Sequence, residues 1–419
     1  MSLRFLFTNI GYPPFVGGAQ TYVQLLAESL VGDGHRVTVL TTNGGEVERV
    51  WNASKRALPA GVEHINGVVV ERLPLRHLPP SPVAYYLLRR LTVALAQVPA
   101  VPESLLWGLA RFTPWVPALD IALARHTEPV DLVHGFAIPF ESMLKPAADY
   151  AARIGVPFLV TPFLHIGEES DPAVARGYAM PHQVALMQRA AAVVALSDIE
   201  RAFLLARGLA PERVHTLHAG IPVTADCAPA PESPRGDHAA TALFLGAVTY
   251  EKGVVHLTEA LRRLWAEGLP VELVLAGTVT DQYRHYYDRL PPGVRGRVQL
   301  RGVVSEEEKQ GLLRACTLLA MPSRVDSFGL VYLEAWRHGK PVIGARAGGV
   351  PAVIDHGQNG LLVPFGDVPT LAAAIRRLVV DSEEAQRLGH AGWGKLQARY
   401  TWDRAYAGIA KLYQEVLAR

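Results

Sequence analysis

The sequence predicts an α/β protein built from two doubly wound domains, and three observations predict it. At 419 residues the chain is too long for one ordinary core, so two domains are the starting expectation. Short apolar strands alternate with amphipathic helices along most of the chain, which is the pattern of βαβ units and parallel sheets. Between Thr224 and Ala239 that alternation stops. Pro229, Pro231 and Pro234 stand there among Ala, Ser, Asp and Gly without periodicity, and a new strand begins beyond them. This stretch reads as an interdomain linker. It gives domains at 1–223 and 240–399, with a last helical segment at 400–419.

Composition narrows the class. Hydrophobic residues make up 49% and charged residues 19%, the balance of a globular enzyme. With 41 basic and 39 acidic residues, no basic block and no aromatic RNA-binding motif, nothing calls for nucleic acid. Cys227 and Cys316 are far apart and belong to no CxxC pair, so neither a disulfide framework nor a zinc site is supported. A reducing cytoplasm suits that usage. Cys316 lies in an apolar run and reads as a small core hydrophobe. The apolar start at Phe5 turns polar too soon for a signal peptide. No uncharged apolar run reaches the ~20 residues that cross a bilayer.

The first domain opens with a strand at Leu3–Thr8. A loop containing Gly17, Gly18 and Gln20 follows, then a helix with Val23, Leu26, Ala27 and Leu30 on one face. The strand at Arg36–Thr41 completes a βαβ unit. The paired glycines let backbone approach a ligand, and a plain turn explains them equally well. Neither GxGxxG nor a P-loop occurs, which disfavours a dehydrogenase. Residues 74–119 are rich in Pro, Leu and aromatics, with Arg76, Arg89, Arg90 and Arg111 against Glu103 alone. They read as a helical insert on the first domain. The alternative is a basic, aromatic surface that touches a membrane and brings in a lipid-linked acceptor. Further strands at Val130–Gly135, Pro157–Thr161, Ala192–Leu196 and Val214–Leu217 place His134, His165 and His218 at strand ends. Doubly wound sheets bind ligands at that edge, although each histidine also fits a hydrogen-bonded structural role.

The second domain carries the densest chemistry. A strand at Thr241–Leu245 leads through Gly246, Lys252 and Gly253 into a helix at Val254–Trp265. A lysine just ahead of a helix N-terminus donates to a phosphate as a point charge. The strand ending at Met321 leads through Asp326, Ser327 and Phe328 to a helix opened by Gly329, with Leu330, Leu333 and Glu334 at helical spacing. Free amides and the helix dipole at Phe328–Leu330 suit a phosphate, and carboxylates on either side suit hydroxyl groups. Together they suit a sugar on a nucleoside diphosphate. The plainer alternative makes Asp326 a helix cap and Glu334 a solvated acid. Arg346, Gly348 and Gly349 form a glycine loop at the same edge of the sheet, and Ser197–Glu200 and Ser305–Glu308 read as capping boxes.

The run from Asp326 to Glu334 resembles the Glu-Gly-Phe-Gly-x₄-Glu motif of the retaining nucleotide-sugar glycosyltransferases of family 4, which have the GT-B fold. Phe328, Gly329 and Glu334 are kept, while Asp326 replaces the first Glu and Ser327 replaces Gly. The likeness extends over nearly the whole chain and is strongest from Leu243 to Val363. It implies two Rossmann-like domains facing a cleft, with the last helix crossing back onto the first. It also implies that His165 stands against the donor sugar and that Gly17 and Gly18 lie over the diphosphate and acceptor. Lys252 and the 328–330 amides would hold the donor phosphates, Val303 and Val304 the base, Asp326 the sugar hydroxyls and Glu334 the ribose, with Gly246 and Ser327 also in the donor site. Two further departures stand out. Ala247 occupies the position of an arginine that shares the diphosphate with the lysine, and Gln20 that of a Glu. Ala247 either weakens diphosphate binding or is offset by another cation, with Arg324 and Arg346 in reach.

The function expected from this resemblance is retaining transfer of a hexose from a nucleoside diphosphate sugar. The acceptor would be a glycan, a lipid-linked molecule or a small molecule. No Asp-x-Asp occurs, so no required metal and no further cofactor are expected. The expected location is cytoplasmic, with possible peripheral contact at the inner membrane face through 74–119. The runners-up are a GT-B protein with a different reaction and a non-catalytic nucleotide-sugar binder.

Overall fold

The computed structural model describes residues 2–168, 171, 173–224 and 239–419. The expected linker lies almost wholly outside them, as does Cys227. The described residues divide into two units. One comprises Met1–Leu164, Ala173–Leu217 and Tyr406–Arg419, and the other His165–Pro172 and His218–Ala405.

In the first unit the chain forms β1 (Arg4–Thr8), α1 (Gly18–Gly32), β2 (Arg36–Thr42), β3 (Gly61–Ile65), β4 (Val68–Leu73), α2 (Val83–Leu95), α3 (Glu103–Ala110), α4 (Ala118–Arg125), β5 (Leu132–Phe136), α5 (Glu141–Ile154), β6 (Phe158–Thr161), α6 (Pro181–Arg189), β7 (Ala192–Ala195), α7 (Asp198–Leu205) and β8 (Val214–Thr216). The sheet order is β3-β4-β2-β1-β5-β6-β7-β8, and only the β3–β4 pair is antiparallel. Central strands are apolar throughout because helices cover both faces. Helix α1 buries Val23, Leu26, Ala27 and Leu30, the stripe its spacing indicated, together with Gln20 and Tyr22. The sequence reading did not place the β3–β4 hairpin. Its signal is Asn66-Gly67, both residues at positive φ, which suits a tight turn between twisted strands. Within 74–119 lie α2, α3 and the start of α4, joined by non-helical segments.

His134 does not end a strand toward a ligand. It lies within β5, fully buried, with its two ring nitrogens 2.7 Å from Tyr413 Oη and 2.9 Å from Thr161 Oγ1. Burial pushes its imidazole down to about 3, so it is a neutral structural residue. Tyr413 comes from the last helix of the chain, whose ring also packs 5.1 Å from Phe5.

The second unit contains β9 (Ala240–Leu245), α8 (Val254–Ala266), β10 (Val271–Ala276), α9 (Asp281–Asp288), α10 (Pro292–Arg295), β11 (Val298–Gly302), α11 (Glu306–Ala315), β12 (Leu318–Met321), α12 (Leu330–Arg337), β13 (Val342–Ala345), α13 (Val350–Val353), β14 (Leu361–Val363), α14 (Val368–Val380) and α15 (Ser382–Arg399); α16 (Trp402–Leu417) begins at its end and runs on into the residues grouped with the first unit. All six strands are parallel, in the order β11-β10-β9-β12-β13-β14. The chain winds outward from β9 in one direction and returns to β12 to wind in the other. That reversal places the β9–α8 and β12–α12 loops side by side at the carboxyl edge, where such sheets bind ligands.

Candidate functional site

The second unit joins four loops that are far apart in sequence. Lys252 Nζ, ahead of α8, lies 2.5 Å from Asp326 Oδ1, ahead of α12. The amide of Arg324 donates to the Glu251 carbonyl at 3.1 Å. Gly349 N–H donates to the Asp326 carbonyl at 2.8 Å, and Gly348 N–H to the Gly167 carbonyl at 2.7 Å, two residues past His165. Lys252, Asp326, His165 and the 346–349 loop therefore share one neighbourhood.

Close backbone approach explains the glycines. Gly253 has φ +79, and a Cβ there would meet the Pro322 carbonyl oxygen at 2.2 Å. At Gly349 a Cβ would lie 1.7 Å from the Ser327 oxygen, so the 346–349 loop is the seat on which the 326–328 turn rests.

The two helix starts are built alike. Gly253 precedes α8 and Gly329 precedes α12, both at positive φ, with no side-chain cap and no acidic residue in the first turn. Their first amides are thus left for an anion. Asp326 does not cap α12, because its carboxylate goes to Lys252. Nor is Glu334 a solvated acid: it is 18% exposed and pairs with Lys309 at 2.7 Å. Nothing in the sequence links Lys309 to Glu334; only the packing of α11 against α12 does. Phe328 is buried, with its ring 5.4 Å from Tyr400 and 6.3 Å from His218. His218 therefore belongs to an aromatic cluster under the loop, and Phe328 anchors the turn while its amide stays at the helix start.

Electrostatics divides the roles. Burial alone would push the Asp326 carboxyl up, but Lys252 and Ser323 outweigh it and hold it below its ordinary value. Asp326 is therefore an anion, and its buried Oδ2 has no hydrogen-bond partner among the described residues. Burial, helped by Lys252 and opposed by Asp326, pushes the His165 imidazole down to about 4, so it is neutral near pH 7.

The two replacement cations proposed for Ala247 separate clearly. Arg324 is held by Glu251 through two hydrogen bonds of 2.5 and 3.1 Å, and by Asp171 at 3.5 Å, so its charge is already balanced. Arg346 is exposed on the β13–α13 loop and makes no ion pair among the described residues. Val303 is 64% exposed and Val304 half-buried, directly after β11. Gly246 follows β9 at φ +150. Gly17 and Gly18 belong to the first unit, where Gly17 starts α1 without a side-chain cap, as Gly253 and Gly329 do for their helices. Among the described residues no three His, Cys, Asp or Glu side chains group as metal ligands.

Comparison with known proteins agrees in family and fold. The profile of the glycosyl transferases group 1 matches residues 231–393, and that of the glycosyl transferase 4-like domain matches residues 17–220. An alpha-D-kanosaminyltransferase from Streptomyces kanamyceticus is 29% identical over 240 residues, covering 55% of this chain and 62% of that protein. The chain thus spans less than two thirds of that relative's length. A sucrose-phosphate synthase from Thermosynechococcus elongatus superposes with a TM-score of 0.69 at 21% identity, covering 99% of both chains. Anabaena Alr3699/HepE, solved in complex with UDP-glucose, gives 0.69 at 18% identity over 99% of this chain and 100% of that one. Two Rossmann-like units in the GT-B arrangement of elements, with both profiles in the matching order, place this chain in the glycosyltransferase family 4, the glycosyl transferases of group 1.

Proposed function

We propose that the chain moves a hexose from a nucleoside diphosphate sugar to an acceptor hydroxyl with retention of anomeric configuration. The observation that carries this reading is the 2.5 Å contact between Lys252 and Asp326. It brings a cation, a carboxylate and two uncapped helix starts to one point. As the sugar leaves, positive charge grows at its anomeric carbon and negative charge on the diphosphate. Lys252 and the 328–330 amides oppose the negative charge. The diphosphate draws the Lys252 ammonium from Asp326, whose oxygens then accept sugar hydroxyls. Neutral His165 hydrogen-bonds the sugar without adding charge. Glu334, steadied by Lys309, accepts from the ribose, and backbone at Val303 and Val304 receives the base. The bond from the anomeric carbon to the phosphate oxygen breaks, the bond to the acceptor oxygen forms, and the acceptor proton passes to the diphosphate. No metal step is required, so a chelator leaves turnover unchanged.

Ala247 supports a second reading, a nucleotide-sugar binder without turnover. It removes one diphosphate cation, and Arg324 is balanced by Glu251 and Asp171. One experiment separates the two: incubate the protein with UDP-, GDP-, ADP- and dTDP-hexoses and an acceptor panel, then measure nucleotide release and product configuration by NMR. An α-linked product from an α-linked donor supports the proposal. A β-linked product contradicts retention, and donor binding without release across the panel favours the binder.

A further inference from the structure

Helix α2 is turned inside out for a surface helix. Two of its polar residues face inward: Arg89 donates to buried Glu141 at 2.6 Å and to the Gly177 carbonyl at 3.0 Å, and Thr92 is fully buried. Trp51 packs 6.2 Å from Tyr85 and 6.3 Å from Tyr86. These contacts fix the rotation of the helix. They leave Val83, Tyr86, Leu87 and Leu91 outward at 51%, 48%, 62% and 48% exposure, with Arg90 and Ala94 among them. At the helical turn angle these positions fall within an arc of roughly 140°. Val98, just past the helix, extends the apolar line at 49% exposure. Soluble surface helices point mostly charge outward, so an arc of four large apolar side chains interrupted by Arg90 alone marks a contact surface.

Charge identifies the occupant. From Leu73 to Pro102 the chain has no Asp or Glu, while Arg76 and Arg90 are exposed. A second copy of the same face would set Arg90 against its own like charge across a two-fold axis. A bilayer with anionic headgroups takes the arginine at headgroup level and the apolar side chains just below it. At 13 residues the helix is about 20 Å long, too short to span the hydrocarbon core, so it lies in the interface plane. We propose that the exposed face of α2 docks this protein on an anionic lipid surface. The proposal is independent of the transferase reading.

Its test is sedimentation of the full chain with vesicles of phosphatidylcholine alone and of phosphatidylcholine mixed with phosphatidylglycerol. The expected result is salt-sensitive binding to the mixed vesicles only. Arg90→Glu should weaken it about fivefold or more, and Leu87→Glu with Leu91→Glu at least about tenfold. Both variants alter outward positions, and circular dichroism checks that they fold. Val380→Glu, at a residue 68% exposed on α14, should change nothing. No binding, equal binding to both vesicle types, or equal binding by wild type and the α2 variants would overturn the proposal. So would a dimer in sedimentation velocity that the double variant disperses, because a second copy would then cover this face.

Discussion

Helices α11 and α12 face each other in one unit, yet their N-termini are finished in opposite ways. At α11 the Ser305 hydroxyl accepts from Glu308 N–H at 3.1 Å, and Glu306, Glu307 and Glu308 fill the first turn. The protein supplies its own anions there, and the dipole is satisfied. At α12 a left-handed glycine replaces the cap and the first turn holds no acid. The nearby carboxylate, Asp326, is held by Lys252 instead of by the helix. A capped terminus serves stability, whereas an uncapped one beside a lysine leaves its amides open, which is where the proposed donor phosphates would sit.

The contrast can be broken at several points. The largest expected effect is at Lys252. Lys252→Ala should lower kcat/KM about 10²–10³-fold, the usual cost of removing one donor to developing negative charge. Unchanged steady-state turnover would mean that the diphosphate charge is met elsewhere, with Arg346 the first candidate. Next comes the seat beneath the turn. Gly349→Ala places a methyl against the Ser327 oxygen and should cost about 1–3 kcal/mol in denaturant unfolding. Gly32→Ala, where a Cβ meets nothing within 4 Å, should be neutral or slightly stabilising.

A pH effect follows from His134, one of the three histidines that the sequence places at strand ends. Burial depresses His134 to about 3. The unfolded chain takes up a proton below about 6.5, and the folded imidazole does not until about 3. Stability should therefore be intact above 6.5 and fall as pH drops toward 3, by at most about 1.4 kcal/mol per pH unit from this group. Thermal unfolding against pH should show that slope, and His134→Gln should flatten it. The smallest effect is at the capped terminus: Ser305→Ala should cost about 1 kcal/mol of stability and leave donor affinity unchanged.

Much of this site was readable from sequence because its chemistry is local. Strand, glycine, lysine and helix occur together at 241–265, and strand, acid, glycine and helix at 318–337, so each half of the anion seat is visible in one window. What joins the halves is not local. The pairing of Lys252 with Asp326 and of Arg324 with Glu251 depends on β9 and β12 lying side by side, which strand order decides, and that of Lys309 with Glu334 on the packing of α11 against α12. The same limit applies to His134, whose partner Tyr413 lies 279 residues away. It applies also to buried Glu200. Only half of the expected capping box at Ser197 forms: its hydroxyl accepts from Glu200 N–H at 3.1 Å, but the Glu200 carboxylate accepts from Leu164 and Leu196 N–H at 3.0 and 2.8 Å instead of from the Ser197 amide. Helix α2 was ambiguous in sequence because an insert and a contact surface share one composition. Only the inward turn of Arg89 and Thr92 shows which face is left outside.

The most direct test of the anion seat is calorimetric titration of UDP, GDP, ADP and dTDP into wild type, Val331→Glu and Ser305→Ala. Val331→Glu gives α12 the acidic first turn that α11 already has. The expected result is that one nucleotide binds wild type and Ser305→Ala equally, while Val331→Glu, still folded, weakens binding at least tenfold through like-charge repulsion at the helix start. Equal binding by all three proteins would contradict the account, because the phosphates would then lie away from α12.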